Sequence, residues 1–514
     1  MTRLALVSFL AVVMVGLSFV WQGATGFNLA DEGFLWYGAQ RVMLGEVPVR
    51  DFMAYDPGRY YWSAALMTLL DDNGIMSLRI AVAVFQSLGL LVALLSIDRL
   101  RGKLGNDTSL FLAVAAVILL FWMFPRHKLF DISLSIFLVS VLAFWARRPS
   151  ARRYFLAGLA IGLVAVFGRN HGMYGLAGSL LMMLWLRIRP SVDSPSWLKA
   201  LALWVAGLAV GYAPIIILAI LEPGYVAAAY ESLHFLFARK TTNLPLPIPW
   251  PWNVPFASLP LNEAIRNGLI GVFFVLLPLC GLLGYLSIFF RRCTGRPVAP
   301  MVAATVIMTP IYAHYAYSRA DIGHLCQGIF PFLLASLLFC LARGVIMRWL
   351  LMSVLVVASC WVMLPVHPGV ERLRSGEWTD CEISGWTLSV DPGAARAIKL
   401  LRTLAARYAP NGQSFIAPEF WPGAYPLLRR KAPVWEIYPL WPRDQAFEKE
   451  EIARLEAARP AFAMMQDIAL DGREDLRFSN THPLLSRYII ENFRPVTELS
   501  GPGLRIYTAK DAIR

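Results

Sequence analysis

The stretch Asn28-Leu29-Ala30-Asp31-Glu32-Gly33-Phe34-Leu35-Trp36-Tyr37 stands a few residues beyond an apolar run from Leu4 to Trp21, and its reading decides what the chain builds. A run of that length crosses a bilayer as one helix. Carboxylates next to hydrocarbon are costly and need a partner or a task. An adjacent pair where a first span meets the outer water boundary is therefore poorly explained by packing.

Working outward, the 514-residue chain is 57% hydrophobic and only 16% charged, with a mean hydropathy of +0.54. That charge content is too small for a water-facing surface, so the fold class is an α-helical polytopic membrane protein. Met1-Thr2-Arg3 precedes a run long for a secretory signal core, and no small-x-small cleavage site follows it cleanly, which predicts an uncleaved first span. Further apolar runs lie near 77–97, 107–124, 129–146, 154–168, 172–187, 200–221, 267–290, 300–316, 324–342 and 349–365. With the first, they predict about eleven transmembrane helices.

The loops alternate in charge. One set carries Arg3; Arg99, Arg101 and Lys103; Arg147, Arg148, Arg152 and Arg153; Arg187, Arg189 and Lys199; Arg291, Arg292 and Arg296; and Arg343 and Arg348. The short loops of the opposite set carry only Arg126, Lys128, Arg169 and Arg319. Basic loops stay inside, so the N-terminus is expected in the cytoplasm and, for an odd helix count, the C-terminus outside. The net charge of +13 is thus spread by topology rather than gathered in a patch, which excludes a nucleic-acid partner. The six cysteines show no paired short spacing, so neither a disulfide framework nor a zinc site is expected.

Two outer loops are long. The first, about 22–76, holds the acid pair and then Trp36, Tyr37, Tyr60, Tyr61 and Trp62, which suit the headgroup region as short amphipathic helices on the membrane. The second, about 222–266, contains Leu244-Pro245-Leu246-Pro247-Ile248-Pro249-Trp250-Pro251-Trp252, where repeated prolines exclude regular helix and the aromatics suggest an interfacial flap. After about 366 the composition turns soluble. Helical patterns near 393–408, 447–459 and 482–493 alternate with apolar runs at Ser414–Ala417, Ala461–Met465, Val496–Leu499 and Leu504–Tyr507. The expected domains are a membrane part, 1–365, and a small extracytoplasmic α/β domain, 366–514.

Of the seven histidines, His127, His171, His234, His314 and His324 map to outer loops or outer helix ends. Cations stand beside them: Arg126 with His127, Arg169 with His171, Arg239 and Lys240 after His234, and Arg319 before His324. Cations from separate loops that meet at one membrane face form an anion site, and arginine suits bidentate phosphate binding. With the acid pair on the same face, the combination points to chemistry on a phosphate-bearing substrate at the outer leaflet. Plainer readings stand beside this one. Asp31 and Glu32 serve equally as the cap of an interfacial helix beginning near Phe34. Single outer histidines and arginines serve as interfacial anchors. Asp51, Asp56 and Arg59 fit a turn with an ion pair around Asp56-Pro57-Gly58.

The residues also carry a resemblance. Asp31-Glu32-Gly33 after the first span, Gly45-x-x-Pro48-x-Arg50-Asp51-Phe52, and Tyr55-x-Pro57-Gly58-x-Tyr60-Tyr61 resemble the first outer loop of GT-C glycosyltransferases. The branch is that of protein O-mannosyltransferases and the lipid A aminoarabinose and galacturonic acid transferases. Ser318-Arg319-Ala320-Asp321-x-x-His324 is similar to a segment of bacterial members. The resemblance covers roughly residues 1–365. It implies an inverting glycosyltransferase in the bacterial cytoplasmic membrane, taking a sugar from a polyprenyl-phosphate donor to an envelope lipid, glycan or protein acceptor at the outer, periplasmic or extracellular, face. It further implies Asp31 first and Glu32 second as the catalytic carboxylates, acting as general base or as ligands of a divalent metal cation. Cations stabilise the charge on the departing phosphate, and the candidates are Arg169, His171, Arg319, His324, Arg126 and His127. Asp321, Arg50, Asp51, Tyr55 and Arg59 are expected in supporting roles. A transporter or flippase of an anionic lipid-linked substrate is the rival; it calls for charges deep in the spans and related halves. A membrane-anchored binding protein whose outer domain does the work is a third reading.

Overall fold

The computed structural model describes residues 3–100, 107–239, 244–501 and 503–510, so Arg101, Lys103 and Lys240 lie outside the described residues. The chain divides into two compact units. One comprises Met1–Gly23, Val82–Pro223 and Thr242–Glu371; the other comprises Ala24–Ala81, Gly224–Thr241 and Arg372–Arg514.

In the first unit every apolar run expected from the sequence is helical. Among the described residues, five helices are long and apolar enough to cross a membrane: Arg3–Gln22, Ile75–Asp98, Arg126–Arg147, Leu261–Cys293 and Val345–Val366. The number rises to seven if each of two bent pairs is one span. The pair Trp197–Gly211 and Ala213–Leu221 bends by 50°, and the pair Ile322–Gly328 and Phe330–Leu341 by 59°. Each break lies beside a proline, Pro214 or Pro331, whose ring removes an N–H and pushes away the carbonyl one turn back. Large apolar side chains such as Phe9, Val20, Ile220, Leu283 and Ile346 are exposed, as lipid-facing surfaces require. Where two helices touch closely, glycine makes room. A Cβ on Gly158, Gly207 or Gly211 would lie 2.1 Å from a carbonyl oxygen of the facing helix, so Ala151–Phe167 and Trp197–Gly211 approach backbone to backbone. Membrane helices associate through such small residues, because apolar burial gives little drive between helices already in lipid.

The second unit begins with helices Asp31–Met43 and Pro57–Leu69. The first of these corrects an expectation: Trp36 and Tyr37 do not face outward, because all residues from Glu32 to Gln40 are buried within the protein. The Trp36 indole and the Gln40 amide both donate to Asn73 O, and the Tyr37 hydroxyl accepts from Ala432 N–H at 3.1 Å. Asp56-Pro57 is likewise a helix start with proline at its first position, not an isolated turn. Toward the C-terminus β1 (Thr379–Ile383) and β2 (Trp386–Val390) form a hairpin through Ser384 and Gly385, both at positive φ. Strands β3 (Phe462–Met465), β4 (Phe493–Pro495) and β5 (Arg505–Ala509) form an antiparallel sheet in the order β3-β5-β4. Helices Pro392–Tyr408, Gln445–Ala458 and Pro483–Asn492 occupy the positions expected for them. The run Ser414–Ala417 makes only a single bridge at Ile416, and Thr497–Leu499 is a 3₁₀ turn rather than a strand. Ile416, Leu455, Met465, Phe478, Leu485, Ile489 and Tyr507 pack into the core there.

Candidate active site

The acid pair opens helix Asp31–Met43, and the fold gives its two members different surroundings. Side chains one position apart on a helix point about a quarter-turn apart, so neighbours cannot share one environment. Glu32 is turned inward and 4% exposed. Its two oxygens accept from Arg79 Nε and Nη2, each at 2.8 Å, and Arg79 Nη2 also donates to Gly26 O at 2.7 Å. Arg79 itself is 1% exposed. Such a fork-to-fork pair is among the stronger charge-assisted arrangements and fixes the geometry of both partners. Asp31 is half-buried at the helix start, with its N–H donating to Asn28 Oδ1 at 3.0 Å. A divalent cation held by both acids does not fit this arrangement, since Arg79 occupies the Glu32 carboxylate. Among the described residues no group of three or more His, Cys, Asp or Glu could hold a metal ion. Hard cations need more oxygen ligands than one carboxylate.

The supporting residues of the first outer segment belong to the same unit. Arg50 forks onto Asp51 at 2.8 and 2.9 Å, and Val47 N–H donates to Asp51 Oδ2. The Arg50 contact leads the causes that hold the Asp51 carboxyl below its ordinary range. Arg59 is buried with its guanidinium 5.4 Å from the centre of the Tyr55 ring. Tyr60 closes the turn, its hydroxyl accepting from Tyr55 N–H at 3.0 Å. These groups shape the segment that carries the acids.

The cationic candidates belong to the other unit, and three of their loops converge within it. The ring of Tyr315 lies 5.7 Å from that of His171 and 6.0 Å from that of His324, stacking on the latter. A Cβ on Gly323 would stand 3.8 Å from Pro125 Cδ, which brings the Arg126–His127 turn beside the 319–324 segment. Arg319 Nε donates to Asp321 Oδ2 at 2.8 Å, and its Nη1 reaches Leu244 O at 3.1 Å, tying down the start of the proline-rich stretch. Asp321 caps helix Ile322–Gly328 through His324 N–H and also meets His324 Nδ1 at 2.9 Å. Burial works to raise the Asp321 pKa, but His324 and Arg319 outweigh it and hold the carboxyl at about 2. Arg126 Nη2 donates to Gln22 O, and Arg169 begins helix Arg169–Ile188, half-buried. His234, of the fourth loop in the histidine set, lies on helix Tyr225–Arg239 of the second unit, where it stacks on Tyr230.

His171 has internal duties that spacing did not announce. Its Nε2 lies 3.1 Å from Asp131 Oδ1 and its Nδ1 2.6 Å from the Tyr312 hydroxyl, all three residues being buried. With the carboxylate accepting, Nε2–H donates and Nδ1 receives the phenolic proton, so both ring nitrogens are engaged. Asp131, Tyr312 and Arg79 were missed by sequence reasoning. The available signal was an ionisable residue inside an apolar run, which is a site or a paired group by default.

No protein-family model matches the chain, and no curated protein matches it. Solved structures do. ArnT from Cupriavidus metallidurans in the apo state is 13% identical over 98% of this chain and 97% of its own, with a TM-score of 0.50. The same protein bound to undecaprenyl phosphate gives 14% identity, 98% of each chain and a TM-score of 0.49. The Archaeoglobus fulgidus oligosaccharyltransferase in the apo form gives 11% identity, 96% of this chain, 73% of its own and a TM-score of 0.46. At such identities the likeness concerns the path of the backbone, and the chain is a polytopic, predominantly helical membrane protein whose fold is like that of ArnT.

Proposed function

We propose that the protein is a membrane glycosyltransferase that moves a sugar from a polyprenyl phosphate to a hydroxyl of an envelope lipid, glycan or protein. It works at the outer face of the bacterial cytoplasmic membrane, with the N-terminus inside and the C-terminal region outside. The observation that carries this reading is the division of the acid pair. Glu32 is sealed in a buried ion pair with Arg79, whereas Asp31 stands half-buried one position earlier. One acid sets the frame and the other meets substrate.

In the reaction the acceptor oxygen attacks the anomeric carbon as the carbon–oxygen bond to the phosphate breaks with its electron pair. The acceptor proton passes to Asp31, acting as general base. Attack from the side opposite the leaving phosphate inverts the anomeric centre. Arg169, Arg319 and Arg126 meet the charge that grows on the phosphate, with His127 beside them. Asp321 orients Arg319, while His171 and His324, both beside the Tyr315 ring, hold the loops in place. Glu32 acts through the helix it anchors, as a positioning residue.

Radiolabelled sugars on a panel of polyprenyl phosphates, given to membranes holding the protein, test the reading. Wild type is expected to transfer label to an envelope acceptor, and Asp31→Asn to lose about 100-fold or more, the scale of a missing general base. Absence of transfer from every donor overturns the reaction; full activity in Asp31→Asn overturns the site.

A further inference from the structure

The helix that carries Asp31 is wedged against a distant piece of the same unit. A Cβ on Gly33 would lie 2.4 Å from Gly423 Cα, and Gly423 N–H donates to Leu29 O at 2.8 Å. Only two glycines permit this approach, and it brings the 418–423 segment beside the first turn of the acid helix. Phe34 follows Asp31 by three positions and so shares its helix face. Its ring meets Tyr55 edge to face at 4.8 Å and Tyr438 at 5.8 Å, and Phe420 stands edge-on to Tyr438 at 6.4 Å.

The burial of these rings is uneven. Phe34 is 1% exposed and belongs to the interior, but Tyr55, Phe420, Trp421 and Tyr438 are each only half-buried. Pro418, Pro422 and Pro439 fix the backbone around them, so little side-chain and backbone freedom is lost when a ligand arrives.

We infer that Tyr55, Phe420, Trp421 and Tyr438 form the acceptor subsite, and that the acceptor group it takes is a carbohydrate ring; this rests on Asp31 being the base. The base must lie within hydrogen-bond reach of the attacking hydroxyl, so what borders Asp31 borders the acceptor. A pyranose presents C–H groups on its faces and hydroxyls on its rim. Aromatic faces receive the first, and Asp31 at the border receives the second. Tyrosine and tryptophan combine an apolar body with a polar tip and suit such a mixed ligand. A lipid tail would call for a long apolar trough free of charged borders, and a peptide for an open strand edge.

Saturation-transfer NMR on the full-length protein in nanodiscs tests the assignment, with methyl glycosides of glucose, galactose, mannose and N-acetylglucosamine as probes. Wild type is expected to transfer saturation to the ring C–H protons of at least one glycoside. The double variant Trp421→Ala/Tyr438→Ala is expected to lose at least four-fifths of the effect, while Trp421→Phe/Tyr438→Phe keeps most of it because ring faces remain. No transfer to any glycoside, undiminished transfer in the alanine variant, or equal loss in the phenylalanine variant overturns the assignment. The readout needs no turnover, so its failure is separable from failure of the transferase reading, which the labelled-donor assay reports.

Discussion

Replacing Arg79 by leucine should be among the most damaging single changes outside the reacting groups. The substitution strands the Glu32 carboxylate, which is 4% exposed and accepts two hydrogen bonds from that guanidinium, and it also removes the donor to Gly26 O. Breaking a buried ion pair by deleting one partner costs about 3–5 kcal/mol, because the remaining charge is uncompensated. At roughly 2–4 °C per kcal/mol for a unit of a few hundred residues, the apparent melting temperature should fall by about 6–20 °C. Replacing both members, Arg79→Leu with Glu32→Leu, should recover at least half of that loss, since no buried charge is left behind. Thermal unfolding of wild type, Arg79→Leu, Glu32→Leu and the double variant in one detergent, followed by intrinsic fluorescence, gives the four values of the cycle. A shift below about 2 °C in Arg79→Leu, or strictly additive effects in the double variant, would refute the claim that this pair anchors the acid helix.

Two further outcomes follow from the second unit. Glu419 is buried, and burial pushes its pKa up to about 8 from an ordinary value near 4.5. Between those values the folded chain keeps a proton that the unfolded chain has released, so stability falls with rising pH by up to about 1.4 kcal/mol per unit and levels off above 8. Glu419→Gln removes this slope: its melting temperature should gain on wild type steadily from pH 5 to pH 8, and a constant difference across that range contradicts the assignment. Gly33→Ala places a methyl group against Gly423 Cα, where backbone must move, and should cost about 1–3 kcal/mol by overpacking. Gly16→Ala, with nothing within 4 Å, should be neutral; comparable melting of the two variants removes the wedge argument.

The helical runs were legible because lipid selects on one variable, length of apolar sequence, and each expected run is helical in the fold. The C-terminal helices were legible from periodicity for the same kind of local reason. The run Val496–Leu499 misled because a short apolar stretch carries no period long enough to separate strand from turn, and the hairpin Thr379–Val390 hid because its exposed residues break the apolar alternation. Asp31-Glu32 could be singled out from cost alone. That Glu32 belongs to Arg79 could not, since the partner lies 47 residues away in a helix read only as apolar.

What the sequence by itself determined is therefore the membrane class, the position of the apolar helices and the existence of an acidic start to the first outer segment, all of which follow from hydropathy and local charge. Tertiary structure decided which acid is locked and which is half-exposed, that His171 spends both nitrogens on Asp131 and Tyr312, and that Gly423 comes to rest on Gly33. Those outcomes depend on pairs separated by tens to hundreds of residues. Side-chain chemistry names the groups that need partners, but only the folded path says which partner each one meets.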